Sequence, residues 1–238
     1  MFTAINTDSA PPFIHSVEMG NVDPFPALRY CLVSFTARDY HDGLFDNWGI
    51  PFPGQLDNAV VKRRAEYLAA RYAAQRVLRS WGCDATPGSA PDRSPVWPSG
   101  WRGSLSHSQE WALAVVAPEA SGLTPGVDIE FLAPETIQRT AHLFTTPQER
   151  ECLAASPFDE DSALLMTFSA KESLYKALYP DDVGRVLDFD AARVCHIAPE
   201  QQRITLELTR TLSPQRLKGS RIQGYYQFSG DRVITIIA

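Results

Sequence analysis

The sequence predicts an α+β fold. Two long stretches, 62–81 and 161–179, carry apolar residues at helical spacing. The C-terminal third alternates apolar and polar positions as strands do. Nowhere do the two signals take turns in the regular rhythm of a βαβ chain, which separates α+β from α/β. With 238 residues, the chain has length for one large domain or two compact halves.

Taken in order, residues 1–60 hold much of the proline and little periodicity. A short strand over 28–35 is expected there, and Pro51-Phe-Pro-Gly54 reads as a turn. In the 62–81 helix, Ala65, Leu68, Ala69, Tyr72 and Ala73 form the apolar stripe and Gly82 ends it. Residues 82–103 read as loop, rich in Gly, Pro, Asp and Ser. Strands follow at 111–117 and 126–131. Thr146-Pro-Gln-Glu149 opens a helix with a capping-box pattern and proline at its first position. The 161–179 helix aligns Leu164, Leu165, Phe168, Leu174 and Leu178. In the tail Ile204, Leu206 and Leu208 alternate, and strands at 225–228 and 233–237 flank a Ser229-Gly230-Asp231 turn.

Composition excludes several classes. A formal net charge of −6 argues against a general nucleic-acid binder. The first twenty residues lack a basic stretch followed by an apolar one, so no signal peptide is expected. The longest apolar runs, such as 111–117, are too short to span a bilayer. Cys31, Cys83, Cys152 and Cys195 are scattered, which predicts buried reduced thiols rather than disulfides or a zinc site, and a cytoplasmic protein.

Gly126-Val-Asp-Ile-Glu130 is the most informative segment. On a strand, Val127, Ile129 and Phe131 face one way and Asp128 and Glu130 the other. Two readings fit. The acidic face is solvated, or the paired carboxylates hold a hard divalent cation that relieves their repulsion. Phe168, Glu172 and Lys176 share one side of the later helix, with Lys171 and Tyr175 beside them. Glu172 and Lys176 then form an ordinary i,i+4 ion pair, or Glu172 completes the metal site while Lys171 and Lys176 meet phosphate.

His107 lies in Gly103-Ser-Leu-Ser-His-Ser108, read as a turn before an apolar strand. Such a segment either is structural or turns backbone N–H groups, hydroxyls and the imidazole toward an anion. Lys62, Arg63, Arg64, Arg71, Arg76 and Arg79 crowd one helix of an acidic chain, as an ordinary exposed basic face or as a surface for a polyanionic small molecule. At about 100° per residue, Arg64 and Arg71 fall at the margin of the apolar stripe and Arg63 points further outward. Arg93, in the loop before Pro95, is a further candidate for phosphate.

In this order the pieces resemble the 4'-phosphopantetheinyl transferase superfamily, nearest to the subgroup of the enterobactin-synthase activating component D (surfactin-type). The carrying residues are Lys62-Arg-Arg-Ala-Glu-Tyr-Leu-Ala-Ala-Arg71, Pro95-Val-Trp-Pro98 leading to Gly103-Ser-Leu-Ser-His107, Gly126-Val-Asp-Ile-Glu130 and Phe168-Ser-Ala-Lys-Glu-Ser-Leu-Tyr-Lys176. Ala70 stands where the family usually has glycine, adding one methyl to the helix packing. Phe168 stands where the broader family often has tryptophan.

The resemblance implies a pseudo-twofold pair of α+β subdomains with coenzyme A in the cleft between them. Residues 1–125 form the N-terminal subdomain with the nucleotide contacts. Residues 126–238 form the C-terminal one with the metal-binding strand and catalytic helix. It further implies transfer of phosphopantetheine from coenzyme A to a serine of an apo acyl, peptidyl or aryl carrier protein, releasing 3',5'-ADP. Siderophore, nonribosomal-peptide and polyketide synthesis are the settings. Asp128, Glu130 and Glu172 are implied to bind Mg²⁺, with Mn²⁺ the alternative. Glu172 takes the serine proton and Lys176 serves the departing nucleotide. Arg63, Arg71, Arg93 and His107 serve the nucleotide end, and Lys171 and Lys176 the diphosphate. A monomer is expected, with the segment before Thr146 and the 179–186 loop as the carrier landing surface. A metal-dependent phosphohydrolase and a non-catalytic coenzyme A-binding module are the rival readings.

Overall fold

The computed structural model describes residues 1–179 and 188–238. Its contacts divide into two units, Phe2–Pro125 and Gly126–Ala238, with Met1 grouped with the second.

In the first unit β1 (Phe2–Ala10), β2 (Ile14–Val22) and β3 (Phe25–Phe35) form a meander. After it come the short α1 (Gly43–Trp48), the long α2 (Val61–Ser80) and the small hairpin of β4 (Gly88–Ser89) with β5 (Pro95–Val96). β6 (Trp101–Ser108) and β7 (Trp111–Pro118) complete an antiparallel sheet of order β1-β2-β3-β7-β6. α2 lies on it, its stripe of Ala65, Leu68, Ala69, Tyr72 and Ala73 buried with Cys31, Val33, Ala112, Ala114 and Val116. Each fully buried Leu or Val contributes about 1.5–3 kcal/mol, so this face holds α2 in place. Trp81 ends α2, and Gly82 follows in the left-handed region that glycine adopts without steric cost.

Two sequence expectations change here. β1 and β2 occupy residues that read as aperiodic. β1 is exposed over nearly its whole length, so no buried face imposes alternation on it. Residues 82–103 are not all loop, because β4 and β5 lie within them and β6 already begins at Trp101. His107 is therefore a strand residue, opposite Ala112. The segment presents side chains from a ladder rather than backbone amides from a turn.

The second unit opens with β8 (Gly126–Phe131). Three helices follow: α3 (Pro134–Phe144), α4 (Pro147–Ala154) and α5 (Glu160–Leu178). Four strands close it: β9 (Ala192–Ala198), β10 (Arg203–Leu208), β11 (Arg221–Ser229) and β12 (Arg232–Ile237). The sheet order is β8-β12-β11-β10-β9, antiparallel throughout. α5 packs on β8 and β12. The capping box is formed: Glu149 N donates to Thr146 Oγ1 and Thr146 N donates to Glu149 Oε2. α3 escaped sequence reading because only Ile137, Ala141 and Phe144 are buried on it.

The two units repeat one plan. In each, the strand before the long helix pairs antiparallel with the unit's last strand, β3 with β7 and β8 with β12. The α+β class holds. All four cysteines are free thiols, but only Cys31 is buried, so the expectation of buried thiols holds for it alone. Among the described residues no helix is long and apolar enough to cross a membrane.

Candidate active site

The position of α5 over its sheet is set by small polar residues. Ser169 and Ser173 bond the Thr235 hydroxyl at 2.9 and 2.7 Å, and Ser173 Oγ also donates to the Thr235 carbonyl at 3.0 Å. All three residues are buried, so leaving these groups unmade would cost more than making them gains. Thr235 on β12 is the cross-strand partner of Asp128 on β8, so the clasp that seats α5 also places Asp128 beneath it. Gly126 permits the approach. A Cβ there would overlap the Ser173 carbonyl and lie 2.5 Å from the Ala177 nitrogen. Gly126→Ala is expected to push α5 off β8 and lower turnover severalfold without unfolding the chain, checked by steady-state kinetics beside circular dichroism.

Lys176, on the last turn of α5, donates to Asp128 Oδ1 at 2.7 Å and to the Val127 carbonyl at 3.0 Å. Asp128 is only 3% exposed. The solvated-face reading of the acidic strand therefore fails for this residue, which faces helix rather than water. Glu130, two residues on along the same strand face, is half-buried. Burial holds the Glu172 carboxyl above its ordinary range; the Lys176 ammonium opposes that rise and the negative charge of Asp128 adds to it. Glu172, Lys176 and Asp128 thus form one electrostatically coupled group.

The donor set suits a hard divalent ion, because Asp128, Glu130 and Glu172 offer oxygen and nothing softer. As the side chains stand, no three acidic, cysteine or histidine groups among the described residues converge closely enough to hold one. Among the described residues, the carboxylate that Lys176 hydrogen-bonds is Asp128 rather than the Glu172 of the ordinary i,i+4 pair.

Lys171 departs from expectation. Its ammonium is buried and donates to Glu149 Oε1 at 2.7 Å, the Phe144 carbonyl at 2.8 Å and the Phe189 carbonyl at 3.0 Å. An ammonium has three N–H donors, and these contacts occupy all of them. Lys171 is thus not available for the diphosphate. One turn earlier Phe168 packs against the rings of Phe144 and Phe189, so the same two residues are held to α5 by ring and by carbonyl. Glu149 is fully buried, and its Oε1 also accepts from Val194 N at 2.9 Å. Burial lowers the Lys171 pKa, and the Glu149 charge opposes that shift.

In the first unit, Arg63, Arg71, Arg93 and His107 line one cavity of about 390 Å³ with Tyr67 and Ser89. α2 supplies one wall, the β4–β5 hairpin another, and β6 brings His107. Arg71 is 5% exposed and fixes the hairpin, donating to the carbonyls of Pro87 and Gly88 and to Ser89 Oγ, each at 3.0 Å. Its guanidinium lies 4.4 Å over the Tyr67 ring. Arg93 holds a left-handed backbone (φ 74°) in the turn that Asp92 closes onto Ser94. Arg63 is more exposed than Arg64, its side chain 40% exposed against 21%, and its Nη1 lies 2.7 Å from His107 Nε2. The basic residues of α2 do not act together. Arg64, Arg76 and Arg79 pair with Asp42, Asp8 and Asp84, leaving Arg63 and Arg71 as the two α2 arginines that reach the cavity.

Two family profiles match in tandem: the 4'-phosphopantetheinyl transferase N-terminal domain over residues 52–117 and the 4'-phosphopantetheinyl transferase superfamily over 124–237. The chain is 34% identical over 216 residues to enterobactin synthase component D of Salmonella typhi, covering 90% of this chain and 88% of that protein. The chain belongs to this superfamily. To the 4'-phosphopantetheinyl transferase Svp of Streptomyces mobaraensis it is 32% identical over 214 residues, 85% of this chain and 84% of that one. The Escherichia coli (strain K12) enterobactin synthase component D shares 40% over 155 residues, 65% and 72% of the two chains. The activity is phosphopantetheine transfer to carrier proteins, and the phosphohydrolase and binding-module readings are not favoured.

In this transferase the Ala70 methyl lines the 390 Å³ cavity as well as the core, so its effect is on cavity shape in addition to helix packing. Sequence reasoning missed Glu66, Tyr67 and Ser89 around that cavity, although Glu66 and Tyr67 stand inside the quoted 62–71 motif. It also saw Glu149 only as a helix cap. Glu172 and Tyr175 line a second, mostly apolar cavity of about 220 Å³ with Leu174, Leu178, Leu208 and Leu212. Before Thr146, Leu143 is 64% exposed. Of the expected 179–186 landing loop, residues 180–186 lie outside the described residues.

Proposed function

We propose that the transferase moves phosphopantetheine from coenzyme A onto a serine of an apo carrier protein in an Mg²⁺-dependent reaction. The observation that carries this reading is the coupling of Glu172, Lys176 and Asp128 where α5 crosses β8.

Asp128, Glu130 and Glu172 would hold the ion. When bound, it supplies charge neutralisation and orientation to the diphosphate of coenzyme A. Glu172 takes the proton of the attacking serine hydroxyl, a role suited to a carboxylate whose burial raises its basicity. As serine oxygen bonds to phosphorus, the bond to the leaving 3',5'-ADP breaks, and Lys176 stabilises the charge left on that nucleotide. Arg63, Arg71, Arg93 and His107 receive its phosphorylated ribose and adenine end in the first-unit cavity.

The carrier is an acyl, peptidyl or aryl carrier of siderophore, nonribosomal-peptide or polyketide synthesis, docking near exposed Leu143. The protein acts as a cytoplasmic monomer. The test is incubation of apo-carriers with coenzyme A and Mg²⁺, read by intact-protein mass. Each accepted carrier gains one phosphopantetheine, and chelation abolishes the gain until Mg²⁺ is restored. Full transfer in chelator would remove the metal assignment, whereas 3',5'-ADP release without any carrier would favour hydrolysis.

A further inference from the structure

An anion stands behind two residues of the basic cavity, Arg63 and His107. Glu66 lies one turn along α2 from Lys62 and Arg63, with a side chain only 12% exposed. Its Oε2 lies 3.6 Å from Arg63 Nη1 and 3.7 Å from His107 Nδ1, and its Oε1 lies 3.9 Å from Lys62 Nζ. Arg63 Nη1 in turn lies 2.7 Å from His107 Nε2. A guanidinium has donors only, so Nε2 must accept. His107 is then neutral with its proton on Nδ1, the nitrogen that faces Glu66. Carboxylate, imidazole and guanidinium close a triangle in which each group fixes the next.

A carboxylate beside a site for phosphate needs a reason, because it repels the ligand. We propose that Glu66 is a positioning residue for the nucleotide end of coenzyme A: its charge favours the His107 tautomer whose Nε2 accepts from Arg63, so that the guanidinium meets the ligand already oriented. This rests on the reading of the cavity as the nucleotide site. The orientation it provides outweighs the repulsion it adds. Lys62, Arg63 and His107 surround the carboxylate, and its charge is largely compensated before a ligand arrives. Without it, the charge that favours a proton on Nδ1 is gone, and the form protonated on Nε2 gains population. That form cannot accept from Arg63, and the guanidinium loses its anchor.

The experiment compares Glu66→Gln with Arg63→Ala and the double variant, each checked for folding by circular dichroism. The readouts are transfer kinetics, 3',5'-ADP binding by calorimetry, and the ¹⁵N spectrum of His107. Glu66→Gln is expected to raise KM for coenzyme A about tenfold while kcat stays within about twofold, and to weaken 3',5'-ADP to the same degree. It should also shift the neutral imidazole from the Nδ1–H toward the Nε2–H form. In the Arg63→Ala background the Glu66 effect should largely vanish, since Glu66 acts through that side chain. Unchanged or tighter binding in Glu66→Gln, an unmoved tautomer, or full additivity would overturn the proposal. Loss of 3',5'-ADP binding in Arg63→Ala with none in Glu66→Gln refutes the role of Glu66 alone. Undiminished binding in Arg63→Ala refutes the cavity reading beneath it.

Discussion

Glu172→Gln lowers phosphopantetheine transfer by about 10³-fold, the scale of losing a general base, while the fold persists and gains stability. The stability effect follows from the direction of the Glu172 shift. Burial raises its pKa above the ordinary 4.5, and in the folded chain Lys176 only partly offsets this. The unfolded chain therefore gives up this proton more readily than the folded one. A penalty on folding builds as pH rises through the ordinary carboxylate range and is complete above the folded pKa. Glutamine has no charge to bury, so the variant should be more stable than the parent at neutral pH. That advantage should disappear well below the ordinary range, where both side chains are neutral. Denaturant unfolding in chelating buffer on either side of that range measures the stability effect. Transfer to an apo-carrier measures the other. A variant that loses activity and stability together would place Glu172 in the framework instead.

Breaking the Lys171–Glu149 pair should be the costliest single change in the second unit. Glu149→Ala strands a buried ammonium and removes the side-chain half of the α4 capping box and the acceptor for Val194, a loss of about 3–5 kcal/mol. Lys171→Met strands the carboxylate instead but leaves cap and strand contact in place, so it should cost less. Glu149→Gln combined with Lys171→Met should recover part of the difference, since no charge remains buried. Equilibrium unfolding of the three variants reads the pairwise coupling directly. If Lys171 instead contacted diphosphate in the working enzyme, Lys171→Met would raise KM for coenzyme A at unchanged stability.

What the sequence disclosed depended on how local the cause was. The two long helices were legible because their apolar stripes are periodic, and the Thr146 cap because Thr-x-x-Glu is a four-residue device. Alternation correctly put Asp128 and Glu130 on one face of β8. Whether that face meets water depends on α5, which is seated by Thr235, a residue of β12. Lys171 illustrates the limit. Its place on the helix is a matter of spacing, but its three acceptors come from α3, α4 and the turn at Phe189–Ala191, none adjacent in sequence. Arg71 is similar: its acceptors at Pro87, Gly88 and Ser89 exist only once the hairpin has folded back. β1 gave no pattern because exposed strands have no buried side to mark.

The antiparallel pairing of β8 with β12 also governs when the proposed catalytic group can exist. Asp128 and Thr235 are cross-strand neighbours separated by 107 positions in the chain. During synthesis, the strand bearing the first carboxylate must wait, its neighbour unmade, until residues 232–237 have left the ribosome. Such long-range pairing is slow to form, so assembly of the proposed reactive centre is a late event. A chain released before β12 is complete would carry every proposed catalytic residue and still be inert.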